Sequence, residues 1–122
     1  MPWIYVIHFE RGLHHARHYT GSTDNLERRL HDHAMGYGSR LTHELYLQGI
    51  DWVLGGLYQG KNIQQSIREI EKRAKNRHNG PHHCLLCQES LTIAPKGTFA
   101  VPFPKTFPTD SESIRRMHAK VR

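Results

Sequence analysis

The sequence predicts an α+β domain: a small sheet carrying helices, with a polar surface. Three observations predict it. Hydrophobic residues make up 37% of 122, enough for one modest core. β-Branched and aromatic residues run together in 3–9 and again in 52–58, the composition of strands. Elsewhere leucines and isoleucines recur every three or four residues, the period of a helix with one buried face.

Trp3-Ile4-Tyr5-Val6-Ile7-His8-Phe9 is long enough for one strand. Arg11-Gly12 supplies a turn, and His15 to Thr20 returns as its antiparallel partner. Gly21 then breaks the strand. Asp24 is expected to cap the next helix, with Glu27 three residues on as the reciprocal member of a capping box. Leu26, Leu30 and Ala34 form its apolar stripe, and Gly36 ends it. Gly36-Tyr37-Gly38-Ser39-Arg40 reads as a loop, and His43 to Ile50 as either a helical turn or a short connection.

Trp52 to Tyr58 reads as a third strand with an irregularity at Gly55-Gly56. Asn62, answered by Gln65, caps a second helix with Ile63, Ile67, Ile70 and Ala74 on its buried side; Asn79-Gly80-Pro81 ends it. Pro102, Pro104 and Pro108 keep Lys96 to Pro108 extended and irregular. A last helix is expected from Ser111, with Ile114, Met117 and Val121 on one side and Arg115, Arg116, Lys120 and Arg122 on the other.

Seventeen Lys and Arg against eleven Asp and Glu give a net charge of +6 at pH 7. A balance of that sign favours a polyanionic partner, most simply nucleic acid. No apolar run reaches the length of a membrane span, and Met1-Pro2-Trp3 does not open a signal-peptide core, so a soluble cytoplasmic protein is expected. In such a compartment Cys84 and Cys87 are expected as reduced thiols and not as a structural disulfide.

The order of parts is specific: a strand with Tyr5, a strand with Tyr19, a helix with Arg29 and His33, a strand, then a helix with acidic residues. Trp3-Ile4-Tyr5, Tyr19-Thr20-Gly21 and the run from Gly21 to Leu30 that contains Arg28-Arg29 resemble the GIY-YIG nuclease family, in particular its short single-domain members. The resemblance runs from about Trp3 to Lys75. It implies a small three-stranded antiparallel sheet flanked by helices, and metal-dependent hydrolysis of DNA phosphodiesters. Residues 1–80 would form the nuclease-like unit, and 81–122 an extension packed on the same domain.

Carried over one position at a time, Tyr5 and Tyr19 match the two motif tyrosines, and Arg29 the arginine ten residues after the second. Arg28 points elsewhere on the helix and is expected to pair with Asp32. Arg29 suits a phosphate because its guanidinium is a rigid fork of donors. Tyr5 serves as general base if nearby cations lower its pKa; His33 is the competing base or an orienting partner. Mg²⁺ or Mn²⁺ needs a carboxylate from the second helix. The family's glutamate has apolar neighbours four before, one before and three after it; Ile67, Ile70 and Ala74 stand so around Glu71, whereas Glu69 is ringed by polar residues. Glu71 is therefore the expected metal ligand.

DNA contacts are expected from Ser39 and Arg40 in the loop after the first helix, together with Thr42, and from Lys75, Arg115 and Arg116. The chain would act as a monomer or weak dimer on DNA, single-stranded, duplex or branched. Trp3 in the glycine position also fits a rival reading, a non-catalytic nucleic-acid-binding module of the same fold. Near the C-terminal side, Cys84-x-x-Cys87 has the ingredients of a zinc knuckle, but its second ligand pair is missing unless His78 and His82 or His83 supply it. The plainer reading is two reduced, partly buried cysteines. His14, His15 and His18 cluster near the first hairpin and read as solvated.

Overall fold

The computed structural model describes residues 2–14, 16–60, 84, 86, 94 and 97–121. In chain order the elements are β1 (Trp3–Leu13), β2 (Ala16–Thr23), α1 (Leu26–Ala34), α2 (Arg40–Gln48), β3 (Trp52–Gly60), β4 (Thr98–Ala100) and α3 (Ser111–Val121). The strands form one antiparallel sheet in the order β2-β1-β3-β4. The α+β architecture expected from the sequence is present, with one strand more than the family resemblance implies. The expected second helix, with Glu71 and Lys75, lies outside the described residues.

Strand alternation divides the sheet into two faces. One face of β1 presents Tyr5, Ile7 and Phe9 to Leu26, Leu30, Ala34, Leu45 and Ile114 of the helices, with Leu54 and Leu57 alongside. Fully burying a Leu such as Leu30 contributes about 1.5–3 kcal/mol, so this layer is what holds α1 on the sheet. The other face carries a smaller cluster of Ile4, Val6, Tyr58 and Cys84.

Several local expectations are corrected. The hairpin turn follows Leu13 and is not at Arg11-Gly12, which lie within β1: Leu13 pairs with Ala16, and His14 takes φ 50° in the connection. Gly21 does not break β2; it pairs with Tyr5, and the strand runs on to Thr23. Asn25, not Asp24, caps α1, its side chain accepting the Arg28 amide at 3.1 Å. The two residues are adjacent, so a shift of one position exchanges which side chain meets the open amides. The 40–48 stretch is a full helix, capped by Ser39 and closed at Gly49 with φ 66°.

The irregularity expected at Gly55-Gly56 is observed: Val6 pairs with Gly56 but Ile7 with Leu54, leaving Gly55 as the extra residue of a bulge. β4 forms inside the proline-containing segment, where the backbone of 98–100 pairs with 58–60 of β3. Among the described residues no helix is long and apolar enough to cross a membrane.

α3 packs against α1. Asp110 Oδ2 accepts the Ser113 amide at 3.0 Å, while Ser111 Oγ binds Asp51 Oδ1 and the Trp52 amide, tying the helix start to β3. Ile114 is buried as expected, but Met117 is 53% exposed. Arg115 instead turns inward, pairing with Asp51 and donating to the Ala34 carbonyl.

Candidate active site

β1 and β2 are paired so that Tyr5 stands opposite Gly21, and Ile7 opposite Tyr19. Both tyrosines therefore project from the same face, toward α1. His33 lies in the last turn of α1 and is fully buried against them. Its ring centroid is 5.6 Å from that of Tyr5 and 5.2 Å from that of Tyr19. Arg29, one helical turn earlier on α1, is half-buried. Its guanidinium lies close enough to the phenols for Tyr5, ahead of Tyr19, to raise the Arg29 pKa, with burial opposing. The four residues singled out in the first half of the sequence thus converge.

The polar contacts define a directed chain. Tyr5 Oη lies 2.6 Å from His33 Nε2, and His33 Nδ1 lies 2.8 Å from Thr42 Oγ1. Thr42 donates its hydroxyl proton to the Ser39 carbonyl at 3.1 Å. Its oxygen is then left to accept from His33 Nδ1–H. A neutral imidazole with its proton on Nδ1 can only accept at Nε2, so Tyr5 O–H donates there. Tyr5, His33 and Thr42 are all fully buried.

Burial sets the resting protonation states. It lowers the His33 pKa to about 3, and the nearby Arg29 charge adds to the effect. It also raises the Tyr5 pKa, with Tyr19 reinforcing the shift and Arg29 opposing it. The expectation that cations would lower the Tyr5 pKa is thus met in sign by Arg29 but outweighed by desolvation. At rest the pair is a neutral phenol bonded to a neutral imidazole.

Two glycines make the arrangement possible. A Cβ on Gly21 would fall on the hydroxyl and ring of Tyr5, 2.7 Å from its Cζ. A Cβ on Gly38 would run into the His33 ring, 2.6 Å from its Cε1. Gly38, Ser39 and Thr42 are the residues whose part in the site the sequence reading missed. Thr42 was expected at a phosphate and is instead buried on His33. Ser39, likewise expected at DNA, caps α2 with its Oγ accepting the Thr42 amide at 3.2 Å. The sequence signal for that role is Ser39-x-x-Thr42 at the start of a helix, the spacing of a side-chain cap.

The remaining candidates fall elsewhere. Arg40 is exposed at the start of α2. Arg115 is engaged with Asp51, and Arg116 pairs with Glu112 at 2.7 Å on the exposed side of α3. The expected Arg28–Asp32 pair is not among the ion pairs of the described residues. Glu71 and Lys75 lie outside the described residues, as do Cys87 and His15. Among the described residues, the phenols, imidazole and guanidinium that meet at the site include no carboxylate. On this donor set alone a hard divalent cation lacks the anionic oxygen that it favours.

The arrangement offers a cation for an anionic oxyester at its half-buried rim and a proton-carrying chain behind it. A family model described as the GIY-YIG catalytic domain matches residues 1–83. No curated protein and no solved structure gives a comparable match. The matched span contains Tyr5, Tyr19, Arg29, His33 and Thr42 and covers most of the chain, so the protein belongs to the GIY-YIG family, a nuclease-type family.

Proposed function

We propose that this protein is a divalent-metal-dependent endodeoxyribonuclease, and that the Tyr5–His33–Thr42 chain beside Arg29 is its catalytic centre. The observation that carries the reading is the 2.6 Å contact between Tyr5 Oη and His33 Nε2, at a site where Arg29 also reaches Tyr5. Arg29 takes the scissile phosphate, where its charge stabilises the oxygens that gain negative charge in the transition state. Tyr5 accepts a proton from the attacking water as it passes its own proton to His33 Nε2. The resulting hydroxide forms the new P–O bond, the ester P–O bond breaks, and the leaving oxygen takes a proton from solvent.

Proton transfer onto His33 is opposed at rest by burial and by Arg29. A phosphate bound on Arg29 neutralises the second of these, so the substrate itself makes the transfer easier. Thr42 then holds the imidazolium by accepting from Nδ1–H. Tyr19, half-buried beside both rings, packs the imidazole edge-on and fixes the mouth of the site.

Divalent-metal dependence is general in the family, and Glu71 is the residue that would hold the ion. When bound, Mg²⁺ or Mn²⁺ would stabilise the leaving oxygen. The substrate form, single-stranded, duplex or branched DNA, follows from surfaces beyond this cluster, and the net charge of +6 suits any of them. A cytoplasmic monomer or weak dimer is the working state that we assign.

The decisive experiment is strand cleavage by the purified chain with Mg²⁺ or Mn²⁺ on single-stranded, duplex, flap and forked DNA. Wild type is expected to cut at least one substrate, and Arg29→Ala and Tyr5→Phe to lose at least a hundredfold in rate. Wild type that binds DNA without cutting any substrate would establish the rival reading, a non-catalytic binding module.

A further inference from the structure

The back of the sheet carries a second cluster that the nuclease chemistry does not use. Alternation along β1 turns Ile4, Val6 and His8 away from the Tyr5 face, and the cross-strand pair His8–His18 brings a second imidazole to the same place. His8 Nδ1 and His18 Nε2 are 3.1 Å apart, with ring centroids separated by 5.0 Å. Cys84 reaches this point from the chain beyond β3, its Sγ 3.6 Å from His8 Nδ1 although the residues are 76 apart in sequence. One ligand atom from each of the three lies within 4.8 Å of the others, and Cys84 is fully buried.

The fold makes room for that sulfur. Gly55, the extra residue of the β3 bulge, faces it: a Cβ there would lie 2.7 Å from Cys84 Sγ and 3.3 Å from His8 Cβ. The bulge and the missing side chain together open the pocket in which the thiol meets the two rings.

We propose that His8, His18 and Cys84 bind one structural zinc ion, which fastens the chain beyond β3 to the back of the β1–β2 hairpin. Tetrahedral zinc, with Zn–N of about 2.0–2.1 Å and Zn–S of about 2.3 Å, spaces two nitrogens by about 3.3 Å and a nitrogen from sulfur by about 3.6 Å. The corresponding separations here are 3.1 and 3.6 Å. Zinc takes two neutral imidazoles and a thiolate, so binding releases one proton, from Cys84.

A water completes the tetrahedron. The nitrogen and sulfur donors select zinc over Mg²⁺ or Mn²⁺, which prefer oxygen. The ion is therefore distinct from any that serves cleavage, and its place is the opposite face of the sheet from Tyr5. The set joins Cys84 to histidines of the first hairpin; His78, His82 and His83, considered on sequence grounds, lie outside the described residues.

Metal analysis of the full chain, expressed in zinc-supplemented medium and dialysed against a mild chelator, tests the site independently of any nuclease activity. The expected result is one zinc per chain in wild type and in Arg29→Ala, with at least a tenfold loss of retained zinc in His18→Asn and Cys84→Ser. Cobalt exchanged into wild type should give tetrahedral ligand-field absorption and a thiolate-to-cobalt charge-transfer band. The band should disappear in Cys84→Ser and weaken in His18→Asn, a half-buried position where loss of folding is not expected. Wild type free of zinc and without the cobalt band would overturn the proposal. So would full retention of zinc by His18→Asn, which would place the metal elsewhere.

Discussion

Gly21 stands directly across the β1–β2 ladder from Tyr5, and the side chain that it lacks is the space occupied by the Tyr5 phenol. Gly21→Ala should therefore damage the site from the strand opposite. The added methyl must displace a fully buried aromatic ring, an overpacking that typically costs about 1–3 kcal/mol. The urea midpoint should fall and cleavage should drop with it. An alanine variant as stable and as active as wild type would show that the phenol yields easily.

Tyr5→Phe keeps the ring and removes only the donor to His33. Nε2 of a buried imidazole is then left without its partner, a loss of about 1–3 kcal/mol in unfolding free energy. Cleavage should fall far more steeply than stability. Equal fractional loss in a well-folded variant would reduce Tyr5 to a packing residue.

Thr42→Val replaces a hydroxyl by a methyl of similar size at a fully buried position. It removes the acceptor for His33 Nδ1–H and frees the imidazole to take the other tautomer, with its proton toward Tyr5. The cleavage rate should drop at least tenfold and its pH profile should shift, while Thr42→Ser restores both. A merely structural Thr42 would lower stability and leave the pH profile in place.

His33 makes stability depend on pH in a defined direction. Its pKa is about 3 in the folded chain against about 6.5 unfolded, so the unfolded state binds the extra proton first as pH falls. The native contribution is complete above about pH 6.5 and is lost between there and pH 3, by at most about 1.4 kcal/mol per unit. The stability difference between wild type and His33→Asn, from urea midpoints, should therefore shrink as the solution is acidified from pH 7.5 to 5. A gap that stays constant would contradict the assignment.

Arg115 and Arg40 should separate in their effects. Arg115→Gln removes a partly exposed ion pair with Asp51 and should shift stability by about 1 kcal/mol or less, without changing the salt slope of DNA binding. Arg40→Gln, at an exposed position, should lower that slope by about one while leaving the urea midpoint alone. The reverse pattern would put α3 on the DNA.

Legibility in the sequence followed distance along the chain. Tyr5, Tyr19, Arg29 and His33 sit within one hairpin and one helix, where the family resemblance could be carried over position by position, and strand pairing and helical spacing bring them to one face. Thr42 belongs to a different helix, and its approach to His33 depends on the Gly38 loop, a backbone path with no periodic signature. β4 was hidden because its pairing with β3 is made by backbone groups in a segment whose prolines argue for irregularity. Cys84 was read against its nearest histidines in sequence, which lie outside the described residues; its neighbours among the described residues come from strands whose alternation places their even-numbered residues on the far face.

That alternation makes β1 a shared spine for two chemistries. Tyr5 and His8 are an odd and an even residue of the same strand, so the phenol and the imidazole are addressed by parity alone. Inserting or deleting one residue ahead of Tyr5 would leave composition, charge and hydrogen-bonding capacity almost intact. It would nevertheless reverse the strand's two sides, sending the phenol to the sulfur side and the imidazole into the helices. Mutational tolerance in this hairpin should thus be generous to substitution at its exposed end and intolerant of any change in length.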